Sequence, residues 1–316
     1  MSKMVLVVSC LSRLPYYIKC FGIPIIASGL LVVSLVGCGE RIESTSYYYT
    51  PGWTQAGDVI FVKGLQSVRK DAIGTQIGST YTESVMTTTA AGAGESLLFD
   101  ATDAPPIAVT CSPAGTAYAA YLNELSGGLY GKIVIRNVAA GTHTGLEKTE
   151  LSFSPGIKSF DWSNDAAKLV YCTTREVRTI NLDGTGDTLV TAESNLKFVS
   201  WRYGGRIAFV HTSEAGTLLS MIYPSGGRTN LAVAASVDKP QISSANTSEV
   251  YGLAGGSYCM VDVSAGTPAT TEVLSNFGGQ LPRLSPDASK VVYDKSGESS
   301  GIYILDVAAK TEAKIK

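Results

Sequence analysis

Short apolar runs separated by polar turns recur from Trp53 to the C-terminal Lys316. Six stretches share one form, an apolar or aromatic strand end, a polar turn and a second strand: Trp53–Phe61, Val109–Tyr118, Phe160–Tyr171, Val199–Phe209, Ile242–Tyr251 and Leu284–Tyr293. A second form follows each of the last five, an apolar strand, a tight turn and another strand: Ile133–Thr142, Thr179–Gly186, Ser220–Gly227, Met260–Thr267 and Ile302–Thr311. Asp183-Gly184 and Gly226-Gly227 supply the positive φ angles that tight hairpins need. Together the two forms make four short strands in about 40 residues. A sheet that is apolar on both faces cannot shield itself, so such units must stack around a common axis. The pattern predicts an all-β, six-bladed β-propeller of four-stranded antiparallel blades, with seven blades the alternative. Residues 64–104 widen the first interval and place an insertion near Glu95–Asp100. No helical periodicity follows Cys38.

The N-terminal pattern is different. Lys3, Arg13 and Lys19 give a basic front, and Phe21–Gly37 is an uncharged apolar stretch of 17 residues, marginal for a permanent span. Leu35-Val36-Gly37-Cys38 ends it. This resembles the bacterial lipobox, in which small residues precede a cysteine that is acylated on sulfur and becomes the new N-terminus. Val7-Val8-Ser9-Cys10 imitates the motif with too few apolar residues before it. The reading is a signal peptide over 1–37, a polar tether over 38–46 and a propeller over 47–316. The resemblance implies a membrane anchor through acylated Cys38. Gly39, where an Asp would resemble inner-membrane retention, points to the outer membrane. The alternative is an uncleaved anchor with Cys38 an ordinary thiol.

The repeat carries a second resemblance. The Ser-Asn-Asp and Ser-Pro-Asp turns at Ser163 and Ser285, the following strands ending in Tyr171 and Tyr293, and the Asp183-Gly184-Thr185-Gly186 hairpin resemble the TolB-like, or WD40-like, propeller repeat. The Gly-His and Trp-Asp pairs of true WD40 repeats do not recur. The likeness implies a six-bladed propeller used as a binding platform. TolB itself carries an α/β domain for which this chain has no room, so a role in the Tol–Pal system is not carried over.

Without the leader the chain has 22 basic side chains against 27 acidic ones and no Lys/Arg stripe, which argues against nucleic acid as partner. Cys111, Cys172 and Cys259 lie far apart in apolar runs and read as buried thiols, with any pairing among them undetermined. His143 and His211 occupy different repeats without ligand-type spacing, and no cofactor or metal site is expected. Asp161, Asp165, Asp183 and Asp187 fit turns better than a calcium loop. Gly297-Glu298-Ser299-Ser300-Gly301 matches G-x-S-x-G, but no helix and no later His follow, so it reads as a loop. Trp53, Trp162 and Trp201 recur at blade positions and read as packing residues rather than sugar-stacking platforms.

The leading expectation is therefore a non-enzymatic envelope module that binds protein or glycan at one mouth of the propeller. The alternative is a propeller enzyme acting on envelope glycan, a lyase or hydrolase, which would need ionisable side chains converging at one mouth.

Overall fold

A computed structural model describes residues 40–100, 109–125, 129–137, 148–201, 205–214, 216–231, 237–264 and 268–316. The leader, the lipobox Leu35–Cys38 and His143 lie outside them. The described chain is strand and turn, with a single 3-10 turn at Gly297–Ser299.

Every strand pairs with its sequence neighbour, and the strands form six four-stranded antiparallel sheets. The first sheet holds β1 (Arg41–Trp53), β2 (Val59–Lys70), β3 (Gln76–Thr88) and β4 (Ser96–Asp100). The second holds β5 (Val109–Cys111), β6 (Ala117–Leu125), β7 (Leu129–Asn137) and β8 (Lys148–Ile157), and the third β9 (Ser159–Trp162), β10 (Lys168–Cys172), β11 (Glu176–Asn181) and β12 (Thr188–Ala192). In the fourth are β13 (Leu196–Ser200), β14 (Ile207–Ser213), β15 (Gly216–Tyr223) and β16 (Gly226–Leu231). The fifth contains β17 (Asp238–Ile242), β18 (Glu249–Ala254), β19 (Ser257–Asp262) and β20 (Ala269–Leu274). The sixth contains β21 (Gln280–Leu284), β22 (Lys290–Lys295), β23 (Gly301–Asp306) and β24 (Thr311–Lys314).

Strand alternation explains why the second strand of a sheet reads as a continuous apolar run. Successive side chains point to opposite faces, and here both faces are covered. Ile60 and Val62 pack onto Val109 and Cys111 of the second sheet, while Val59 and Phe61 pack onto Val292, Ile302 and Ile304 of the sixth. Leu169 and Tyr171 face Ile133 and Ile135, whereas Val170 and Cys172 face Ile207 and Phe209. Two further clusters join the fourth sheet to the fifth and the fifth to the sixth. Each cluster thus fills one seam between consecutive sheets, and the Trp53 cluster joins the last sheet to the first. The sheets form a closed ring, a β-propeller. Burying one large apolar side chain contributes about 1.5–3 kcal/mol, so stability resides in the seams and no sheet stands alone.

Among the described residues the ring closes by packing and not by a shared sheet, because the last sheet holds only β21 to β24. Trp53 Nε1 donates to the Arg283 carbonyl at 2.8 Å across this seam. Lys316 pairs with Glu95 at 3.0 Å and donates to the Gly92 carbonyl at 3.1 Å. Tyr47–Tyr49 accordingly belong to the first sheet.

The recurrent turn between first and second strands is held by its hydroxyl. Ser163 Oγ donates to Asp165 Oδ1 at 2.6 Å and accepts Lys168 N–H at 2.9 Å. Ser285, Asp287 and Lys290 repeat the arrangement at 2.6 and 2.9 Å. Ala166 and Ala288 take the positive φ that closes each turn.

Two boundaries differ from the sequence reading. β1 begins at Arg41, so Arg41–Ser46, assigned to the tether, are strand paired with Leu65–Lys70. The extra length of the first sheet is not an insertion near Glu95–Asp100, where Ser96–Asp100 is simply its outer strand β4. It lies in β1, β2 and β3, which run on past the ring as a three-stranded arm from Arg41 to Tyr47, Gly64 to Lys70 and Gln76 to Glu83. Ser, Thr and charged residues make up just over half of the arm, and such strands have no apolar alternation to reveal them.

Candidate functional site

The first strands of the sheets line the centre of the ring. Five of them contribute the residue just before their last apolar side chain to a cavity of about 20 Å³: Thr110, Asp161, Ser200, Gln241 and Arg283. Gly52 holds the corresponding place in β1. This volume suits about one water molecule, so the waist is closed to larger ligands.

Its polar groups are largely spent on holding neighbouring sheets together. Asp161 Oδ1 accepts Trp162 N–H at 2.9 Å, and its Oδ2 accepts Trp201 N–H at 3.0 Å and the Ser200 hydroxyl at 3.1 Å. Gln241 repeats the device two seams on, accepting Leu284 N–H and donating to the Pro282 carbonyl. In both, a side chain from one sheet replaces the backbone partner that an edge N–H of the next sheet lacks. Arg283 is half-buried, and among the described residues its guanidinium has no hydrogen-bond partner.

One arc of the ring departs from the repeat. On β1, β17 and β21 a non-glycine residue with positive φ precedes a proline: Thr50 (48°) before Pro51, Lys239 (51°) before Pro240 and Leu281 (43°) before Pro282. Each sits at a register break, between Tyr49 and Gly52, Asp238 and Gln241, and Gln280 and Arg283. Proline disfavours such a neighbour, and each outlier costs of order 1–3 kcal/mol, strain that persists only where the surroundings impose it. These strands belong to the fifth, sixth and first sheets, which are consecutive around the ring.

Charge gathers on the same arc. Asp238 and Lys239 open β17, and Asp294 pairs in register with Gln280 at the start of β21. Asp238 Oδ1, Asp294 Oδ1 and Thr50 Oγ1 are buried without a hydrogen-bond partner among the described residues. Burial raises the Asp294 carboxyl from an ordinary 3.8 to about 6, against the opposing pull of its own backbone N–H and of Lys239. Burial also lowers the affinity of Lys239 for its proton, helped by the like charge of Arg283 and opposed by Asp238 and Asp294. The mouth on this side therefore holds two acids and two cations, with three buried oxygens left unpaired among the described residues. A recurring apolar-side Pro (Thr50-Pro51, Lys239-Pro240, Leu281-Pro282) was the sequence signal that could have marked it.

The other candidates resolve into structure. Trp53 and Trp162 are buried and Trp201 is half-buried, so the first two offer no face to a sugar. Asp165 and Asp183 cap turns, Asp187 accepts from Tyr171 and Arg178, and among the described residues no three His, Cys, Asp or Glu side chains are grouped as a metal site. Cys111, Cys172 and Cys259 are buried in three different seams. Gly297–Ser299 is a loop turn between β22 and β23 whose Ser299 carbonyl accepts the Tyr303 hydroxyl at 2.9 Å.

His211 lies within β14 rather than at a strand end in the open. Its Nε2 is 3.2 Å from Ser220 Oγ and its Nδ1 is 3.6 Å from Glu193 Oε2. The sequence Ser–His–Glu is that of a nucleophile relay, but Ser220 has no exposed surface. A scissile carbonyl could not reach it, and the chain of polar groups instead ties β14 and β15 to the end of the third sheet.

The ring of four-stranded sheets and its narrow polar waist define a β-propeller with one strained, charged mouth. No family model matches the chain, and no curated protein matches it. Among solved structures it is similar to a chain of a nidogen/laminin complex, with a TM-score of 0.56 and 9 % identity, over 86 % of this chain and 92 % of that one. It is also similar to KlHsv2 with loop 6CD replaced by a Gly-Ser linker, with a TM-score of 0.50 and 12 % identity over 86 % and 100 % of the two chains. The β-propeller domain of the trilobed protease from Pyrococcus furiosus aligns with 85 % of this chain and 84 % of its own at 12 % identity and a TM-score of 0.49. At such identities the likeness speaks for the fold alone.

Proposed function

We propose that the chain is a cell-envelope lipoprotein, anchored through acylated Cys38 at the outer membrane, whose TolB-like six-bladed propeller binds protein or envelope glycan at its charged mouth. The observation that carries the binding role is the arc of three strained inner strands with Asp238, Lys239, Arg283 and Asp294. Strain of this kind persists where function imposes it, and the half-buried Lys239 and Arg283 present two cations at the mouth. Arg283 and Lys239 suit carboxylates, which both acidic proteins and acidic glycans carry. The anchor rests on Leu35-Val36-Gly37-Cys38 and its apolar lead-in. Among the described residues no helix is long and apolar enough to cross a membrane.

The test joins a mass measurement with a variant. Mass spectrometry of the mature membrane-bound protein should find acylated Cys38 as its N-terminus, and an unacylated Cys38 would refute the anchor. Lys239→Gln with Arg283→Gln should abolish cross-linking to the partner or glycan fragment that the wild-type protein captures in its own envelope. Equal capture by both proteins would refute the mouth as the binding site.

A second reading, an enzyme of envelope glycan, is favoured by Asp294, a carboxylic acid raised to about 6 beside an amine. It requires turnover of a glycan that Asp294→Asn eliminates.

A further inference from the structure

Among the described residues the arm formed by β1, β2 and β3, with strands of 12 or 13 residues, has no counterpart of that length in the other five sheets. It leaves the ring on the side of the charged mouth, because β1 enters its bulge at Thr50 just as β17 enters at Lys239 and β21 at Leu281. From Arg41 to Tyr47 it extends about 20 Å at about 3.3 Å per residue. At its far end Arg41 pairs with Lys70, and the chain turns through Asp71–Thr75. That turn is firmly built. Asp71 Oδ1 accepts Ile73 N–H at 3.0 Å and Thr75 N–H at 2.8 Å, and Gly74 N–H reaches the Asp71 carbonyl at 3.0 Å.

What the turn presents is apolar. Ile73 is 87 % exposed, the most exposed of the large hydrophobics among the described residues, and Ile42, opposite Arg69 on β1, is 64 % exposed. Ile77 follows on β3 at 49 %. The charges at this end are paired with one another, Arg69 with Glu40 at 2.7 Å, Lys70 with Glu43 at 2.5 Å and Arg41 also with Glu43. Isoleucine held out by a rigid turn, among charges already neutralised, suits an interfacial layer better than water.

The chain before β1 says which interface. Only Gly39 and Glu40 separate Cys38 from Arg41. Three residues span at most about 11 Å, so a lipid on Cys38 would hold the arm's tip within about 11 Å of the bilayer surface. We propose that the arm is a membrane-standing stalk: Ile73, Ile42 and Ile77 seat in the interface of the bilayer that carries Cys38. The stalk then holds the charged mouth facing that membrane across a gap of about 20 Å. This inference rests on the lipid-anchor reading given above.

The test uses the full acylated protein reconstituted in phosphatidylethanolamine–phosphatidylglycerol vesicles, carrying an environment-sensitive fluorophore on Ile73→Cys. Ile77→Cys provides a second tip position, and Asp183→Cys on the exposed β11–β12 turn provides a reference on the ring. Cys111, Cys172 and Cys259 are buried and do not compete for label in the folded protein. Labels at 73 and 77 should be quenched by nitroxide lipids at least about two-fold more than the label at 183, and shielded from iodide. Equal quenching at all three positions in membrane-bound, acylated protein would overturn the stalk and leave the anchor standing. An unacylated Cys38 in the mature protein, read by mass spectrometry, would overturn the anchor and the stalk with it.

Discussion

Replacing Asp294 by Asn isolates the most perturbed carboxyl of the charged mouth. Its rise from 3.8 to about 6 comes from desolvation, with its backbone N–H and Lys239 pulling the other way. Each tenfold change in proton affinity is worth 1.36 kcal/mol, so the rise corresponds to about 3 kcal/mol, and residual solvent access brings the expected effect to about 1–3 kcal/mol. The folded protein binds this proton more tightly than the unfolded chain. Its contribution is therefore complete below about pH 4 and is lost as pH rises through about 6. Asp294→Asn does not titrate and escapes the loss. Urea unfolding of both proteins, followed through Trp53 and Trp162 in the seams, should show the variant gaining about 1–3 kcal/mol on the wild type between pH 4 and pH 7.5. Asp183→Asn should stay flat over this range and differ from wild type only below about pH 4, because Thr185 holds the Asp183 carboxyl below its usual range. A difference between Asp294→Asn and wild type that stays flat with pH, or favours the wild type as pH rises, would refute the buried-acid account of the mouth.

Other substitutions probe the ring itself. Asp161→Ala removes the acceptor of Trp162 N–H, Trp201 N–H and the Ser200 hydroxyl; at about 1–3 kcal/mol for each buried donor left open, thermal melting should fall by several degrees, with Asp161→Asn milder. Cys172, whose thiol burial pushes up to about 12, should resist maleimide at pH 8 until denaturant is added; labelling at the rate of a free thiol in the folded protein would contradict its place in the seam. Gly252→Ala would set a methyl 2.7 Å from the Asp238 carbonyl oxygen, a backbone atom that cannot step aside, and should cost about 1–3 kcal/mol in urea unfolding, whereas Gly278→Ala meets nothing and should be silent.

Much of the frame was legible along the chain because it obeys local rules. The turn at Ser163-Asn164-Asp165 announces itself through hydroxyl and carboxylate caps, and Leu169–Cys172 through an apolar run bounded by turns. Other features were not legible. Gln241 reads as an ordinary polar residue until the Leu284 N–H of the next sheet is brought to it. The stalk escaped detection because its exposed strands lack apolar alternation and resemble a linker.

The sequence by itself determined where the recurrent turns fall and that each unit is apolar on both faces. These follow from period, turn chemistry and composition, all of which act within a few residues. Only the tertiary structure decided which seam each side chain fills, that the waist is closed by inter-sheet hydrogen bonds, and that Asp238, Lys239, Arg283 and Asp294 share one mouth. Those outcomes depend on residues some 40–55 positions apart meeting when the ring closes, and on the desolvation that meeting imposes, which no local pattern encodes.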